Sequence, residues 1–272
     1  MRESSKVIGY ILLVFGTLSL ILSIFYEHVI LAFIGLGLTF WGALLLFIRP
    51  GKYVKEKLLN TTTLPTLADI NQILAELEYQ GKPTYLPPKY FTNPETCQIY
   101  IPKDKNTTLP TPQETKKHEN KIFLKNPEAA LIIPPGLSLS KLFEKTTGKS
   151  FTKTDIEHLQ QNLPKIFIED LEIAENIEIQ TKPSKTAKKL TDAVALIHLQ
   201  TGTIHAKITN SVYTDTCKET ETLPHIHAAI GCPICSAIAI AITKATRKPV
   251  TIEKEQTNGR NIDTEYRIIL EE

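Results

Sequence analysis

The motif Cys232-Pro-Ile-Cys235 has a cysteine spacing that serves both metal binding and thiol chemistry. It lies in the segment HIHAAIGCPICSAIAIAITKATRKP, which runs from His225 to Pro249. Thiolate sulfur and imidazole nitrogen are the ligands that zinc prefers in tetrahedral protein sites. Zinc is therefore the cofactor that this segment indicates, and its ligands would come from a set of five residues: Cys217, His225, His227, Cys232 and Cys235.

The same motif suits a redox dithiol, in which Cys232 and Cys235 would be the catalytic pair. A helix that begins at Cys232 would stabilise a thiolate there through its dipole and its free amides. Cys235 would then resolve the mixed disulfide. This interpretation makes the protein a thiol oxidoreductase with Cys232 as the nucleophile.

A third interpretation is structural and rests on the small size of the residues around the motif. Small and soft side chains would let a helix pack closely on a sheet, or would leave a pocket for an apolar or anionic ligand. The residues that would line such a pocket are Gly231, Cys232, Cys235 and Ser236. The sequence leaves the metal, redox and structural interpretations open.

Other patterns argue against two functions. Thr147-Gly148-Lys149-Ser150 resembles the end of a phosphate-binding loop, but the motif requires a glycine at position 143, where this chain has Phe143. The net charge is only +2 and the acidic and basic residues are interspersed, which gives no basic surface for nucleic acid. We expect neither nucleotide binding by that loop nor a nucleic-acid partner.

Two uncharged runs at the beginning of the chain predict a transmembrane hairpin. They cover residues 7–26 and 29–48, and each is long enough to cross about 30 Å of hydrocarbon as a helix. Glu27 and His28 alone separate them, and small residues such as Gly16, Gly35 and Gly42 would let the two helices approach closely. The lipid bilayer is thus the first expected partner.

Basic residues flank the hairpin on its two outer sides and predict its orientation. By the positive-inside rule, both termini and the remaining chain would lie in the cytoplasm of a cell-membrane protein with two spans. All four cysteines, Cys97 among them, would then be thiols or metal ligands. The residues that carry this prediction are Arg2, Lys6, Arg49, Lys52, Lys55 and Lys57.

Three segments are expected: the hairpin at 1–50, a juxtamembrane helix with a proline-rich irregular part at 51–135, and an α+β domain at 136–272. The helix would begin with a capping box at Thr66 and end before Gly81. Dense prolines between residues 82 and 135 favour irregular structure with edge strands at most, in the pieces QIYIP, KIFL and ALIIP.

The chain from Gly136 onward reads α-α-β-β-α-β-β, an α+β arrangement with helices on one face of a mainly antiparallel sheet. Two helices would cover 138–147 and 154–163, with the helical stripe continuing to Ala174 after Pro164. DAVALIHLQ and TIHAKITNSVY would be strands, residues 233–246 a buried helix, and PVTIEKE and EYRIILEE a final strand pair around Asn258-Gly259.

This order of elements resembles the small-ligand-sensing domains of the vinyl-reductase type, which are related to the fold of the TRAPP vesicle-tethering subunits. The segment GCPICSAIAIAITKATRKPVTIEKE carries the resemblance, through a small-residue helix that begins at cysteines and a glutamate-bearing strand. It covers the C-terminal half of the chain and implies a ligand-sensing role. The whole chain also resembles uncharacterised archaeal membrane-anchored proteins.

Taken together, these features favour a membrane-anchored binding or regulatory module over an enzyme. Its partner would be a small ligand or another protein, in addition to the bilayer. A membrane-tethered thiol oxidoreductase and a zinc-stabilised interaction domain are the two alternatives.

Overall fold

The computed structural model describes residues 2–47, 56–124, 128–182, 202–227 and 230–270. The chain forms two compact units, residues 1–55 and residues 56–272. The first unit contains helices α1 (Arg2–Tyr26) and α2 (Val29–Phe47). The first predicted span ends at Tyr26, as α1 does. The second begins at Val29, as α2 does, and its predicted end lies one residue beyond Phe47.

Helices α1 and α2 form a hairpin with very close backbone contact. A Cβ atom added to Gly16 would lie 2.6 Å from the Thr39 nitrogen and 3.0 Å from the Gly35 oxygen. The Ser19 hydroxyl donates a hydrogen bond of 3.0 Å to the Leu31 carbonyl across the hairpin. Small residues are thus required where the helices meet, as is common between helices in lipid.

The outer faces of the hairpin are apolar and exposed. Phe25, Phe33 and Phe47 have 79%, 72% and 86% of their surface exposed. Residues Ile8–Tyr26 and Val29–Phe47 are long and apolar enough to cross a membrane, and a signal sequence near an N-terminus meets the same criteria of length and composition. Such exposed apolar faces are stable in lipid rather than in water.

The second unit contains helices α3 to α9 and strands β1 to β8. The helices are α3 (Glu56–Glu76), α4 (Pro112–His118), α5 (Leu137–Thr147), α6 (Ile156–Lys165), α7 (Thr214–Thr220), α8 (Pro224–His227) and α9 (Pro233–Thr246). The strands are β1 (Thr84–Leu86), β2 (Gln98–Pro102), β3 (Phe123–Leu124), β4 (Ala129–Ile132), β5 (Asn176–Lys182), β6 (Thr203–Thr209), β7 (Val250–Asn258) and β8 (Asn261–Ile268). The expected α+β class with an antiparallel sheet is confirmed.

The strands form one eight-stranded sheet in the order β3-β4-β2-β1-β7-β8-β6-β5, with antiparallel neighbours. Strands from both sides of residue 135 therefore share one sheet. The expectation of edge strands at most before residue 135 is wrong for β1, β2 and β4, because each pairs on both sides. Ile99 and Ile101 of β2 join the main core while Tyr100 joins a second apolar cluster, so apolar packing on both faces offsets the local proline content.

Helix α9 lies at the centre of the main core. Every residue from Pro233 to Lys244 is buried, and the helix contacts α5 and α6 as well as strands β1, β7 and β8. Its alanines make this possible, since a helix enclosed on all sides needs small side chains wherever a neighbour is near. The predicted bounds of this helix, residues 233–246, are confirmed.

The region between α6 and β6 differs from the sequence prediction. The expected helical stripe up to Ala174 ends in a single π-helical turn at Ile166–Asp170, and the chain then forms strand β5. Pro164 stands in the last turn of α6, before this irregular turn. The predicted strand DAVALIHLQ and the basic segment KPSKTAKK lie largely or wholly outside the described residues.

Two other predicted helices begin at residues that differ from the expected ones. Helix α3 begins at Glu56 rather than at Thr66 and includes Pro65 in its interior. In α6 the N-cap is Asp155, whose side chain accepts a hydrogen bond from the His158 amide, and not Thr154. The final strand pair is confirmed as β7 and β8, joined at Gly259, which has a φ of +63°.

Candidate functional site

The start of helix α9 places the two cysteines of the motif one helical turn apart. Cys232 is the N-cap residue in an extended conformation, and Pro233 occupies the first helical position, where its missing N–H costs nothing. Cys235 follows three residues after the cap. Both side chains are fully buried. Their position at the positive end of a 14-residue helix favours negative charge on sulfur.

The third cysteine of the site comes from another helix. Cys217 lies on α7, is fully buried, and forms a disulfide with Cys232 at a Cα–Cα distance of 5.1 Å. The expectation that all four cysteines are thiols or metal ligands therefore differs from the structure, because tertiary packing brings α7 to the start of α9. The disulfide joins Cys232 to Cys217 rather than to Cys235, and Cys235 and Cys97 are free.

The fourth member of the site is Glu255 of strand β7, which the sequence analysis did not identify as a site residue. Simple alternation from Val250 and Ile252 would bring Lys254 to the core face. A β-bulge between Ile252 and Lys254 shifts the register, so that Lys254 is exposed and Glu255 points to the core. The carboxylate is only 5% exposed. The signal available in the sequence was that the apolar alternation of Val250 and Ile252 ends at a charged residue, Lys254.

Glu255 contacts both cysteines of α9. It accepts a hydrogen bond from the Cys232 amide, with distances of 3.2 Å to Oε2 and 3.4 Å to Oε1. A side-chain contact with Cys235 is also present. Burial raises the pKa of Glu255 to about 7, and the hydrogen bonds from Cys232 and Cys235 oppose that rise. Within the described residues, no lysine or arginine forms an ion pair with this carboxylate.

Cys235 is held by contacts on several sides. Its sulfur lies 3.1 Å from the hydroxyl of Thr264, the cross-strand neighbour of Glu255, and its carbonyl accepts a hydrogen bond of 3.0 Å from the Tyr266 hydroxyl. Burial raises the pKa of the Cys235 thiol well above its usual range, and the nearby Glu255 carboxylate adds to the rise. Without a cation close by, this thiol is therefore protonated at neutral pH.

The four potential ligand atoms, three sulfurs and one carboxylate oxygen, all lie within 4.8 Å of one another, and all four residues are buried. We call Cys217, Cys232, Cys235 and Glu255 the thiol–carboxylate cluster. In a tetrahedral site with Zn–S bonds of about 2.3 Å, neighbouring sulfurs are about 3.8 Å apart. The cluster is thus of the right size for one tetrahedral ion once the disulfide is reduced.

The other predicted ligand residues have different positions. His225 and His227 lie on α8 and do not belong to the four-residue cluster found within the described part of the chain. The His225 amide donates a hydrogen bond of 3.0 Å to the Asn71 side chain. Of the five ligands predicted for zinc, the structure therefore brings three cysteines together, and it adds a carboxylate in place of the histidines.

Gly231 and Ser236 of the predicted ligand pocket contribute to close packing. Gly231 has a φ of +73°, and a Cβ atom there would lie 2.6 Å from Ile252 Cδ1 and 2.8 Å from Glu255 Oε2. The Ser236 hydroxyl accepts a hydrogen bond of 3.1 Å from the Gly136 amide. A Cβ atom on Gly136 would lie 2.1 Å from the Ala237 nitrogen. Gly136 therefore packs backbone against backbone at the start of α9, and Gly231 leaves room for the side chains of Ile252 and Glu255.

The fourth cysteine lies apart from the cluster. Cys97 precedes β2, is fully buried, and its thiol donates a hydrogen bond of 3.1 Å to the Leu86 carbonyl. Burial raises the pKa of this thiol to about 12. Cys97 therefore acts as a small buried side chain and is a suitable control for experiments on the cluster.

Together, the two units describe a mixed α/β domain that follows two apolar helices of membrane-spanning length, with a thiol–carboxylate cluster enclosed in its core. The chain belongs to the family described as domain of unknown function (DUF7982), whose model matches residues 1–269. No curated protein matches the chain. No solved structure matches it either, so the resemblance to vinyl-reductase-type and TRAPP domains stays a prediction.

Proposed function

We propose that this protein is a membrane-anchored regulatory module whose α+β domain binds one thiophilic divalent ion, with zinc as the first candidate. One observation carries the proposal: a buried carboxylate without a cationic partner among the described residues stands inside a group of three cysteines. A buried carboxylate is stable only when it is protonated, paired or bound to a metal. A divalent ion would pair with Glu255 and deprotonate the neighbouring thiols.

The ligand set favours some metals over others. Three sulfurs and one oxygen suit zinc and other borderline or soft ions, whereas magnesium and calcium require oxygen ligands. All four residues are buried and would fill the four tetrahedral positions. A closed site of this kind stabilises a conformation, whereas a catalytic zinc site keeps one position open for water or substrate. The cluster therefore supports a structural or sensing role.

Direct measurement of metal content tests this proposal. The full chain, purified in detergent with a phosphine reductant and without chelator, is expected to contain about one zinc ion per chain. Glu255→Gln and Cys235→Ser should lower that content, because each removes one ligand, while Cys97→Ser should leave it unchanged. A reduced and folded wild-type chain that takes up neither zinc nor cobalt would overturn the proposal.

The membrane part of the proposal places the domain on the cytoplasmic side. Exposed apolar faces on α1 and α2 support insertion into the membrane, and the basic residues that flank the hairpin support this orientation. Protease treatment of sealed inside-out membrane vesicles tests it. We expect digestion of the domain in inside-out vesicles and protection in right-side-out vesicles; the reverse pattern would place the domain outside.

A thiol oxidoreductase is the second candidate, and the Cys217–Cys232 disulfide is the observation that favours it. Catalytic exchange requires a thiolate that a partner can reach. Cys217, Cys232 and Cys235 are fully buried, which speaks for the metal-binding role. Alkylation of the reduced, metal-free chain at native pH separates the two candidates, because a catalytic Cys232 would react much faster than Cys97.

A further inference from the structure

We propose that the Cys217–Cys232 disulfide and the bound metal are alternative states of the thiol–carboxylate cluster, so that oxidation of this pair releases the ion. This inference rests on the metal-binding function proposed above and adds its regulation. Two of the four potential ligands share the disulfide. The same four residues therefore form either a covalent link between α7 and α9 or a four-ligand site.

The two states exclude each other for a chemical reason. Cysteine binds a metal ion as the thiolate, and the sulfur atoms of a disulfide carry no negative charge that would attract the ion. Formation of the Cys217–Cys232 bond leaves Cys235 and Glu255 as the remaining members of the cluster. Two ligands are too few for a stable zinc site, which normally has four.

The fold determines which pair of cysteines is oxidised. The 5.1 Å between the Cα atoms of Cys217 and Cys232 lies within the usual range for disulfides. Cys235 has other contacts, with the Thr264 hydroxyl at 3.1 Å and with Glu255. Cys235 and Glu255 therefore stay in place as the half of the site that does not change, and Cys217 and Cys232 are the residues that exchange the metal for each other.

The oxidation step needs a two-electron acceptor, and hydrogen peroxide is suitable because it is small enough to enter a buried cluster. One thiolate of the pair attacks a peroxide oxygen and forms a sulfenic acid, while the O–O bond breaks and the leaving oxygen takes a proton to become water. The second thiolate attacks the sulfenic sulfur, forms the S–S bond and expels hydroxide, which also takes a proton. The metal leaves as a divalent ion, and the Cys235 thiolate takes up a third proton.

The two states differ in what they connect. A metal bound by all four ligands would tie α7, the start of α9 and strand β7 together. The disulfide joins α7 and α9 alone, and within the cluster Glu255 of β7 is then linked to α9 by the hydrogen bond from the Cys232 amide and by the contact with the Cys235 side chain. Oxidation is therefore expected to loosen β7 near its bulge, which hydrogen exchange of the β7 amides would detect.

The experiment uses the reduced full chain in detergent, loaded with zinc and titrated with hydrogen peroxide. A chromogenic chelator reports the released zinc, and peptide mapping without reduction identifies the disulfides. We expect loss of about one zinc per Cys217–Cys232 bond formed, and renewed binding after dithiothreitol and zinc are added. Cys97→Ser should behave like the wild type in both measurements.

The outcomes separate the two proposals. Zinc that stays bound when Cys217 and Cys232 are joined would overturn the inference but not the metal site, and so would release that accompanies a Cys232–Cys235 bond. A reduced chain that binds no zinc before peroxide is added would overturn both proposals. These readings use the wild-type chain and Cys97→Ser, so they do not depend on whether a Cys217 variant folds.

Discussion

Glu255 accepts a hydrogen bond from the Cys232 amide at 3.2 Å, which joins the bulge of strand β7 to the first residue of helix α9. The contact satisfies an amide that the helix itself leaves without a partner. It also places a carboxylate at the positive end of the helix dipole. The relationship determines how the domain responds to pH and to substitution near the cluster.

The first prediction concerns Glu255 and pH in the reduced, metal-free chain. Burial raises the pKa of Glu255 from 4.5 to about 7, so between these values the folded state binds more protons than the unfolded state. The free energy of unfolding should therefore fall as pH rises from 4.5 to 7, by on the order of 3 kcal/mol. Chemical unfolding with a chelator and a reductant present, followed by circular dichroism, measures this slope.

Matched variants test the assignment of that slope to Glu255. Glu255→Gln should flatten the dependence on pH, because it removes the titrating group and keeps a similar shape. Glu265→Gln, which changes a partly exposed carboxylate on β8, should keep the dependence of the wild type. An equal slope in wild type and Glu255→Gln would contradict the prediction.

The second prediction concerns Gly231, which precedes the cluster. Gly231→Ala should destabilise the domain more than Gly148→Ala, although both residues have positive φ, +73° and +66°. The strain of that conformation costs about 1–2 kcal/mol at either position. Only Gly231 has close neighbours, with Ile252 and Glu255 atoms within 3 Å of an added Cβ, which adds about 1–3 kcal/mol. Denaturation midpoints of the two variants compare these costs.

The third prediction concerns the ion pair between Lys244 of α9 and Glu144 of α5, whose Nζ and Oε2 atoms are 2.7 Å apart. Lys244 is fully buried and the Glu144 side chain is 14% exposed. Lys244→Met should destabilise the domain by about 3 kcal/mol, because it leaves a mostly buried carboxylate without its cation. Lys145→Met, at an exposed position on α5, should have little effect.

A double substitution separates the lost attraction from the unpaired charge. Glu144→Gln combined with Lys244→Met should be more stable than Lys244→Met alone, since no charge then stays buried. Urea unfolding of the four chains of this cycle gives the coupling free energy. A double variant less stable than Lys244→Met would show that the pair is not the source of the loss.

The fourth prediction concerns the hairpin of α1 and α2. Gly16→Leu should separate the helices, because even a Cβ atom at Gly16 meets the backbone of α2, whereas nothing lies within 4 Å of a Cβ at Gly37. Cross-linking of Ser19→Cys to Leu31→Cys measures the separation in lipid vesicles. The yield should fall strongly with Gly16→Leu and stay high with Gly37→Leu; equal yields would contradict the close contact.

Local patterns in the sequence predicted those elements whose structure depends on local composition. The hairpin follows from two uncharged runs, and the bounds of α9 follow from Pro233 at its start and an alanine-rich run that ends before Pro249. Strands β7 and β8 follow from β-branched residues around Asn258-Gly259. These features depend on backbone propensity and on the solvent that each face prefers, and both can be read from neighbouring residues.

The thiol–carboxylate cluster depends instead on tertiary packing. Spacing identified Cys232 and Cys235 as a pair and left Cys217 as one of several candidates, because 15 residues separate it from its disulfide partner. Glu255 enters the site through a bulge that reverses the alternation of β7, and such a bulge is stabilised by the partner strand and the helix above it. Likewise, β1 becomes an interior strand because β7 pairs with it across a long stretch of chain. The sequence by itself thus determined the hairpin, helix α9, the final strand pair and two of the sulfurs, whereas contacts between distant segments decided which residues share the site.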